Sequence, residues 1–230
     1  MTRPFLDLLR AGLLGLFCSI SPVLWAASLH AELVDTQGQP LAGAVLTLRG
    51  PLGAEAEPEQ AVMDQQAQQF VPHVLAVRTG TLVAFPNSDN IRHHVYSFSP
   101  SKKFELRLYQ GTHSEPVLFD KPGAVVLGCN IHDWMVGYVY VTDDPWFEVS
   151  DEQGRVQFDA LPVGSYSASL WHPQSPNMLP QTAGTLVIGE QPVQQRFTVA
   201  IQASAEVVPT AAPASAFGDA FKKAQRDAAP

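Results

Sequence analysis

The chain has 230 residues, 46% of them hydrophobic, with 14 basic against 22 acidic side chains and a formal charge of −8. That apolar share suffices for one large or two small cores and excludes a chain that is disordered throughout. The negative charge argues against nucleic acid as a partner and suits docking on a basic protein surface.

Residues 1–27 predict a cleaved secretory signal, with Arg3 and Arg10, an apolar run over 11–24, then small Ala26, Ala27 and Ser28. The run is too short and wrongly flanked for a membrane span, so the mature chain is expected to have none and to be periplasmic or secreted. Bulky Leu16 and Phe17 before Cys18 argue against lipid attachment at that cysteine. Cleavage removes Cys18, one of two cysteines, and takes the formal charge to −9, since the segment carries Arg3, Arg10 and Asp7. Cys129 is left as a lone thiol in an oxidising compartment, where cysteines usually pair. It is therefore either buried and inert or committed to a metal.

From Ala31 the chain reads as strand, turn over 35–40, and strand over 44–48. Residues 50–60, with Pro51 and Pro58, are the expected boundary of a new β unit. That unit predicts short strands over 61–64, 70–72, 74–78 and 82–85, then a polar loop from Pro86 to Arg92 feeding a strand that opens on His93 and His94. Adjacent strand residues face opposite sides, so only one of these two histidines can aim at a given point, and periodicity leaves the choice open.

Residues 125–141 predict strand, tight loop and strand, because β-forming apolar residues flank a short polar break. The break holds Cys129, His132 and Met135, so a thiolate, an imidazole and a thioether can converge on one ion. Such soft and borderline donors suit copper, and two imidazoles, a thiolate and a weak axial thioether form the donor set of type 1 copper sites. A second histidine must come from upstream. Further on, residues 147–149, a turn at 151–154, and segments 156–158 and 166–171 repeat the strand and turn pattern. Residues 203–216 are Ala/Pro/Ser-rich, and the short segment after them is a marginal helix at best, so 203–230 reads as a disordered tail. No segment of 60–142 carries a sustained helical period, so the unit is predicted all-β.

Two resemblances follow. The stretches around 34–48 and 149–173 resemble the start and end of a carboxypeptidase regulatory-domain-like, transthyretin-like sandwich, which implies that the intervening segment is an insertion into it. Residues 70–95, FVPHVLAVRTGTLVAFPNSDNIRHHV, and 126–135, VLGCNIHDWM, resemble the cupredoxin family, with the short ligand loop of its amicyanin-type members and of methylamine-utilization proteins. These resemblances imply an all-β chain: a cupredoxin-like Greek-key β-sandwich over 60–142 and a small Ig/transthyretin-like β-sandwich from 28–50 and 146–202. The cupredoxin resemblance also implies one type 1 copper per chain held by His93, Cys129, His132 and Met135, with His94 beside the site or as the alternate ligand.

The departures from that pattern carry expectations of their own. Gly128 stands where many members have an aromatic, so an electron path through that side chain is expected to be absent. Ile131 replaces a proline and restores an N–H, which is expected to bond the Cys129 sulfur. Trp134 beside Met135 marks an apolar docking surface if the loop is exposed, and otherwise packs on the neighbouring sandwich.

A dinuclear copper site would need a second bridging cysteine, and His30, His73, His113 and His172 lack the spacing for a catalytic copper. The expected function is therefore single-electron transfer between redox proteins such as a dehydrogenase and a cytochrome, not catalysis. The alternatives are copper storage or delivery without turnover, and a structural sandwich in which a metal is incidental.

Overall fold

The computed structural model describes residues 27–51, 60–112 and 115–202. Among them the regular structure is β-strand, apart from one 3-10 turn at Pro176–Met178, and no helix is long and apolar enough to cross a membrane. The proposed signal segment to Ala26, most of the 50–60 boundary and the tail from 203 lie outside the described residues.

The strands form five sheets around three apolar clusters. One three-stranded sheet has the order Arg155–Leu161, Ala27–Val34, Val193–Thr198, and a four-stranded sheet has the order Trp146–Val149, Val45–Arg49, Gly164–Trp171, Gln181–Ile188. Alternate residues of the first (Leu29, Ala31, Leu33, Val156, Phe158) meet alternate residues of the second (Leu46, Leu48, Tyr166, Ala168, Leu170) in one buried core. This is the inward-facing pattern of a sandwich. The segments before Gly50 and after Asp144 thus share a core although some ninety residues separate them.

The intervening chain builds a second sandwich. Its five-stranded sheet runs Lys102–Tyr109, His93–Ser99, Gly123–Cys129, His132–Thr142, Val74–Arg78, with the last pair parallel. A four-stranded sheet (Gly111–Thr112, Pro86–Asn87, Asp64–Gln66, Gln69–Val71) and a three-stranded one (Val117–Phe119, Thr81–Ala84, Gln60–Val62) contribute the facing core residues. Val95, Leu106, Val125, Leu127 and Val139 pack there against Met63, Phe70, Val83, Phe85 and Phe119. The strand expected over 61–64 is in fact two: Met63, fully buried and bonded through its N–H to the Ala84 carbonyl, is where the chain passes from one small sheet to the other.

A third cluster joins the two sandwiches. Tyr140 stacks on Trp171 at 4.8 Å, with Val45 and Val74 beside them. Residues 45–48 are buried on both faces for this reason: Leu46 and Leu48 enter the first core, while Val45 enters the junction. Asp144 accepts hydrogen bonds from Thr47 Oγ1 at 2.6 Å and Arg49 Nε at 2.7 Å, fastening the strand exit to the neighbouring sheet.

Candidate metal centre

Cys129 ends one strand and His132 opens the next; the two are directly paired, just past a register shift that falls between Gly128 and Cys129. This places their side chains on one side of the loop, with Cys129 Sγ 3.7 Å from His132 Nδ1. His93 opens the neighbouring strand, fully buried, and its Nδ1 lies 3.9 Å from the same sulfur. One donor atom from each of the three residues lies within 4.8 Å of the others. A point equidistant from them is about 2 to 2.5 Å from each, the range of bonds from a transition metal to imidazole nitrogen and thiolate sulfur.

Met135 lies three residues further along the strand from His132, 1% exposed, in the same core as Cys129. Cys129 is a free, buried cysteine. The donor set therefore fits a metal: two imidazole nitrogens, an unpaired thiol and a buried thioether close by. A buried thiol with no disulfide partner and two imidazoles aimed at it has no packing explanation of comparable economy.

Asp89 fixes the orientation of His93, with Oδ2 2.7 Å from Nε2. The carboxylate accepts a hydrogen bond from Nε2–H, which leaves the Nδ1 lone pair facing Cys129. The same carboxylate accepts the N–H groups of Ala67 at 2.7 Å and Gln68 at 2.9 Å, while its own N–H donates to Asn87 Oδ1 at 3.0 Å. Burial by itself would raise the Asp89 carboxyl, but the hydrogen bonds from Gln68, His93 and Ala67 outweigh it and hold the group below the ordinary carboxylate range. Asn87 completes the brace, donating from Nδ2 to the carbonyls of Ile91 at 2.8 Å and Tyr109 at 2.9 Å. The loop carrying His93 is thus tied to the hairpin at 64–71 and to the strand at 102–109. Sequence reasoning assigned no role to Asp89 or Asn87. The signal that could have found Asp89 is a carboxylate four residues before a histidine in a tight polar loop.

The remaining candidates separate cleanly. His94 points to the opposite sheet face from His93, with Nε2 3.1 Å from Glu105 Oε1 and its ring 5.7 Å from Tyr96. It stands outside the group of converging donors. Ile131 is 48% exposed, and its N–H makes no hydrogen bond to the Cys129 sulfur, contrary to expectation. The sulfur faces the two imidazoles instead of the loop backbone. Trp134 is 68% exposed, with its ring 5.3 Å from that of His132, so it stands outward beside the donor group and is not packed on the other sandwich. His172 is a buried structural histidine that accepts the Gln174 N–H at Nδ1.

No family model and no curated protein matches the sequence. Among solved structures, the chain is similar to a copper-containing nitrite reductase from Thermus scotoductus, at 27% identity over 49% of this chain and 28% of that one, with a TM-score of 0.35. The chain thus spans well under half of that enzyme. It is also similar to a purple cupredoxin from Nitrosopumilus maritimus, at 22% identity over 36% of this chain and 99% of that one, TM-score 0.32. A third is a proline-to-phenylalanine mutant of amicyanin in its reduced state, at 20% identity over 42% and 99% of the two chains, TM-score 0.33.

Proposed function

We propose that residues 60–142 form a mononuclear type 1 copper unit that passes single electrons between redox proteins, carried as an insertion in a sandwich built from 28–50 and 146–202. The observation that carries this reading is the convergence of His93 Nδ1, Cys129 Sγ and His132 Nδ1 from two separate stretches of chain, with Met135 buried in the same core. A bound copper would supply a one-electron couple at this point.

The protein's own residues do the rest. His93, Cys129 and Met135 are buried, so the donors are held in place whichever charge state the site carries, and little rearrangement accompanies electron gain or loss. Asp89 holds His93 in one tautomer and one orientation. His132 is only partly buried and leans on exposed Trp134, so the ring nearest solvent is also nearest an apolar docking surface. A redox protein such as a dehydrogenase or cytochrome is the proposed partner there, and export by residues 1–27 would place both outside the cytoplasm. Four donors around one ion would leave little room for substrate, so the reading is a carrier, not an enzyme.

Redox titration of the copper-loaded protein tests it. A carrier cycles reversibly through several oxidations and reductions with one copper retained per chain. Loss of the metal to a competing chelator on each change of oxidation state would replace the carrier reading with storage or delivery.

A further inference from the structure

We propose that the outer face of the five-stranded sheet is a second electron port, where Tyr96 and Phe98, flanked by Lys103 and Arg107, seat an acidic redox protein. Tyr96 couples that partner to Cys129 through the Gly128 peptide. The inference rests on the copper reading above.

Along His93–Ser99 the side chains alternate, with His93, Val95 and Ser97 buried toward the core and His94, Tyr96 and Phe98 on the other face. Tyr96 is directly paired with Gly128, the residue before Cys129. A Cβ on Gly128 would lie 2.8 Å from both Cζ and the hydroxyl oxygen of Tyr96, so the ring lies across the glycine and only glycine leaves it room. The aromatic missing from position 128 is thereby supplied from the adjacent strand. Its ring continues outward to Phe98 at 5.2 Å between centroids, and Phe98 is 77% exposed. A large exposed aromatic backed by a second one that touches the peptide next to a buried thiol has no role in the core of either sandwich.

The charge around it is opposite in sign to that of the chain. The edge strand Lys102–Tyr109 carries Lys102, Lys103 and Arg107 against Glu105 alone, and it sets Lys103 directly beside Phe98 and Glu105 beside Tyr96. Glu105 Oε1 lies 3.1 Å from His94 Nε2, without the alignment of a hydrogen bond, and 3.8 Å from Nε of Arg107, which is 88% exposed; Lys102 pairs with Asp120 at 3.2 Å. Lys103 has no ion pair among the described residues. Lys103 and Arg107 beside exposed Phe98 and half-buried Tyr96, in a chain of charge −8, complement an acidic surface and repel a basic one. The two donors therefore lead out by different routes: His132 to Trp134, and Cys129 through Gly128 to Tyr96 and Phe98. In each transfer by the second route one electron leaves the copper-loaded site and the partner's centre gains it. No bond forms or breaks, no proton moves, and neither ring is itself oxidised.

The test uses the full mature chain and two anions of one shape. Hexacyanochromate(III), paramagnetic and redox-inert, is expected to broaden the ring resonances of Tyr96 and Phe98 more than those of Trp134 in the metal-free and Cu(I) proteins alike. The Lys103→Glu/Arg107→Glu variant should lose that broadening. Hexacyanoferrate(III) should oxidise the Cu(I) protein at least about tenfold more slowly in the same variant at low ionic strength, with the gap closing at about 1 M salt. Phe98→Ser and Tyr96→Leu, which leave the charges untouched, should each slow the reaction several-fold while the visible band and oxidation by a cationic cobalt(III) complex stay the same. Broadening centred on Trp134, or hexacyanoferrate rates unchanged in all three variants, overturns the proposal. A chain with no copper band at all overturns the copper reading instead, and the metal-free broadening map still reports on this face.

Discussion

Removing the Asp89 carboxylate by Asp89→Ala is the most informative perturbation of the candidate centre away from the donors themselves. Three hydrogen bonds disappear with it, two from the backbone of Ala67 and Gln68 and one from His93 Nε2. The backbone groups sit in a hairpin turn that water can reach, since Ala67 and Gln68 are not buried. His93 is fully buried, so its Nε2–H is left without an acceptor, at a cost of about 1–3 kcal/mol, and the ring is free to turn its other nitrogen toward Cys129. Loss of an outer partner of this kind weakens metal binding by about 10- to 100-fold, or about 1.4–2.7 kcal/mol. A competition titration against a Cu(I) chelator reads that change directly, and Asp89→Asn, which keeps an acceptor but not the charge, should recover part of it. If Asp89→Ala folds with wild-type stability and holds copper as tightly as the parent, the bracing role assigned to this carboxylate is wrong.

Three further outcomes test the packing and electrostatics. A Cβ on Gly137 would meet the Phe70 side chain at 2.7 Å, so Gly137→Ala should cost about 1–3 kcal/mol of stability in urea denaturation by overpacking the core under the donors. Trp171→Ala removes the ring stacked on Tyr140 and should destabilise by about 3–5 kcal/mol, with the loss felt in both sandwiches when tryptophan fluorescence and near-UV circular dichroism are followed together. Burial lowers the His172 pKa below its ordinary value of 6.5, so the neutral ring favours the folded state above pH 6.5 and that stability is lost as pH falls below it. The urea midpoint should accordingly drop between pH 7 and pH 5, and drop less in His172→Gln.

The candidate donors of the 129–135 loop were legible in the sequence because they belong to one local pattern. A polar break between two β-forming runs needs no tertiary information, and Cys129, His132 and Met135 sit within seven residues of one another. Choosing between His93 and His94 needed the sheet, since period-two alternation says that they diverge but not which one faces the core. The structure settles the direction through Val95 and Ser97, which are buried on the same side as His93. Asp89 was hidden for a different reason: its partners Ala67 and Gln68 are more than twenty residues away in sequence, and nothing in their identity announces that their N–H groups converge on a carboxylate.

The strand Lys102–Tyr109 was legible but not picked out: Phe104, Leu106 and Leu108 alternate with Lys103, Glu105 and Arg107, and Phe104 and Leu106 face the core. That strand also carries Glu105, whose Oε1 lies 3.1 Å from His94 Nε2. Gly128 itself offers no ring, as expected, but Tyr96 from the neighbouring strand lies across that position, which only the pairing of the strands reveals. The Ile131 N–H was misplaced. A loop reading alone sends the sulfur toward the backbone, whereas in the fold it faces two imidazoles, just past the register shift between Gly128 and Cys129.

The central claim is that Cys129, with His93, His132 and Met135, holds copper through a thiolate bond. Visible absorption of the purified mature protein loaded with Cu(II) tests it most directly. An intense thiolate-to-copper charge-transfer band that vanishes in Cys129→Ser, weakens or shifts in His93→Ala and persists in His94→Ala is the predicted result. A loaded protein with no such band, or with a band that survives Cys129→Ser, would contradict it.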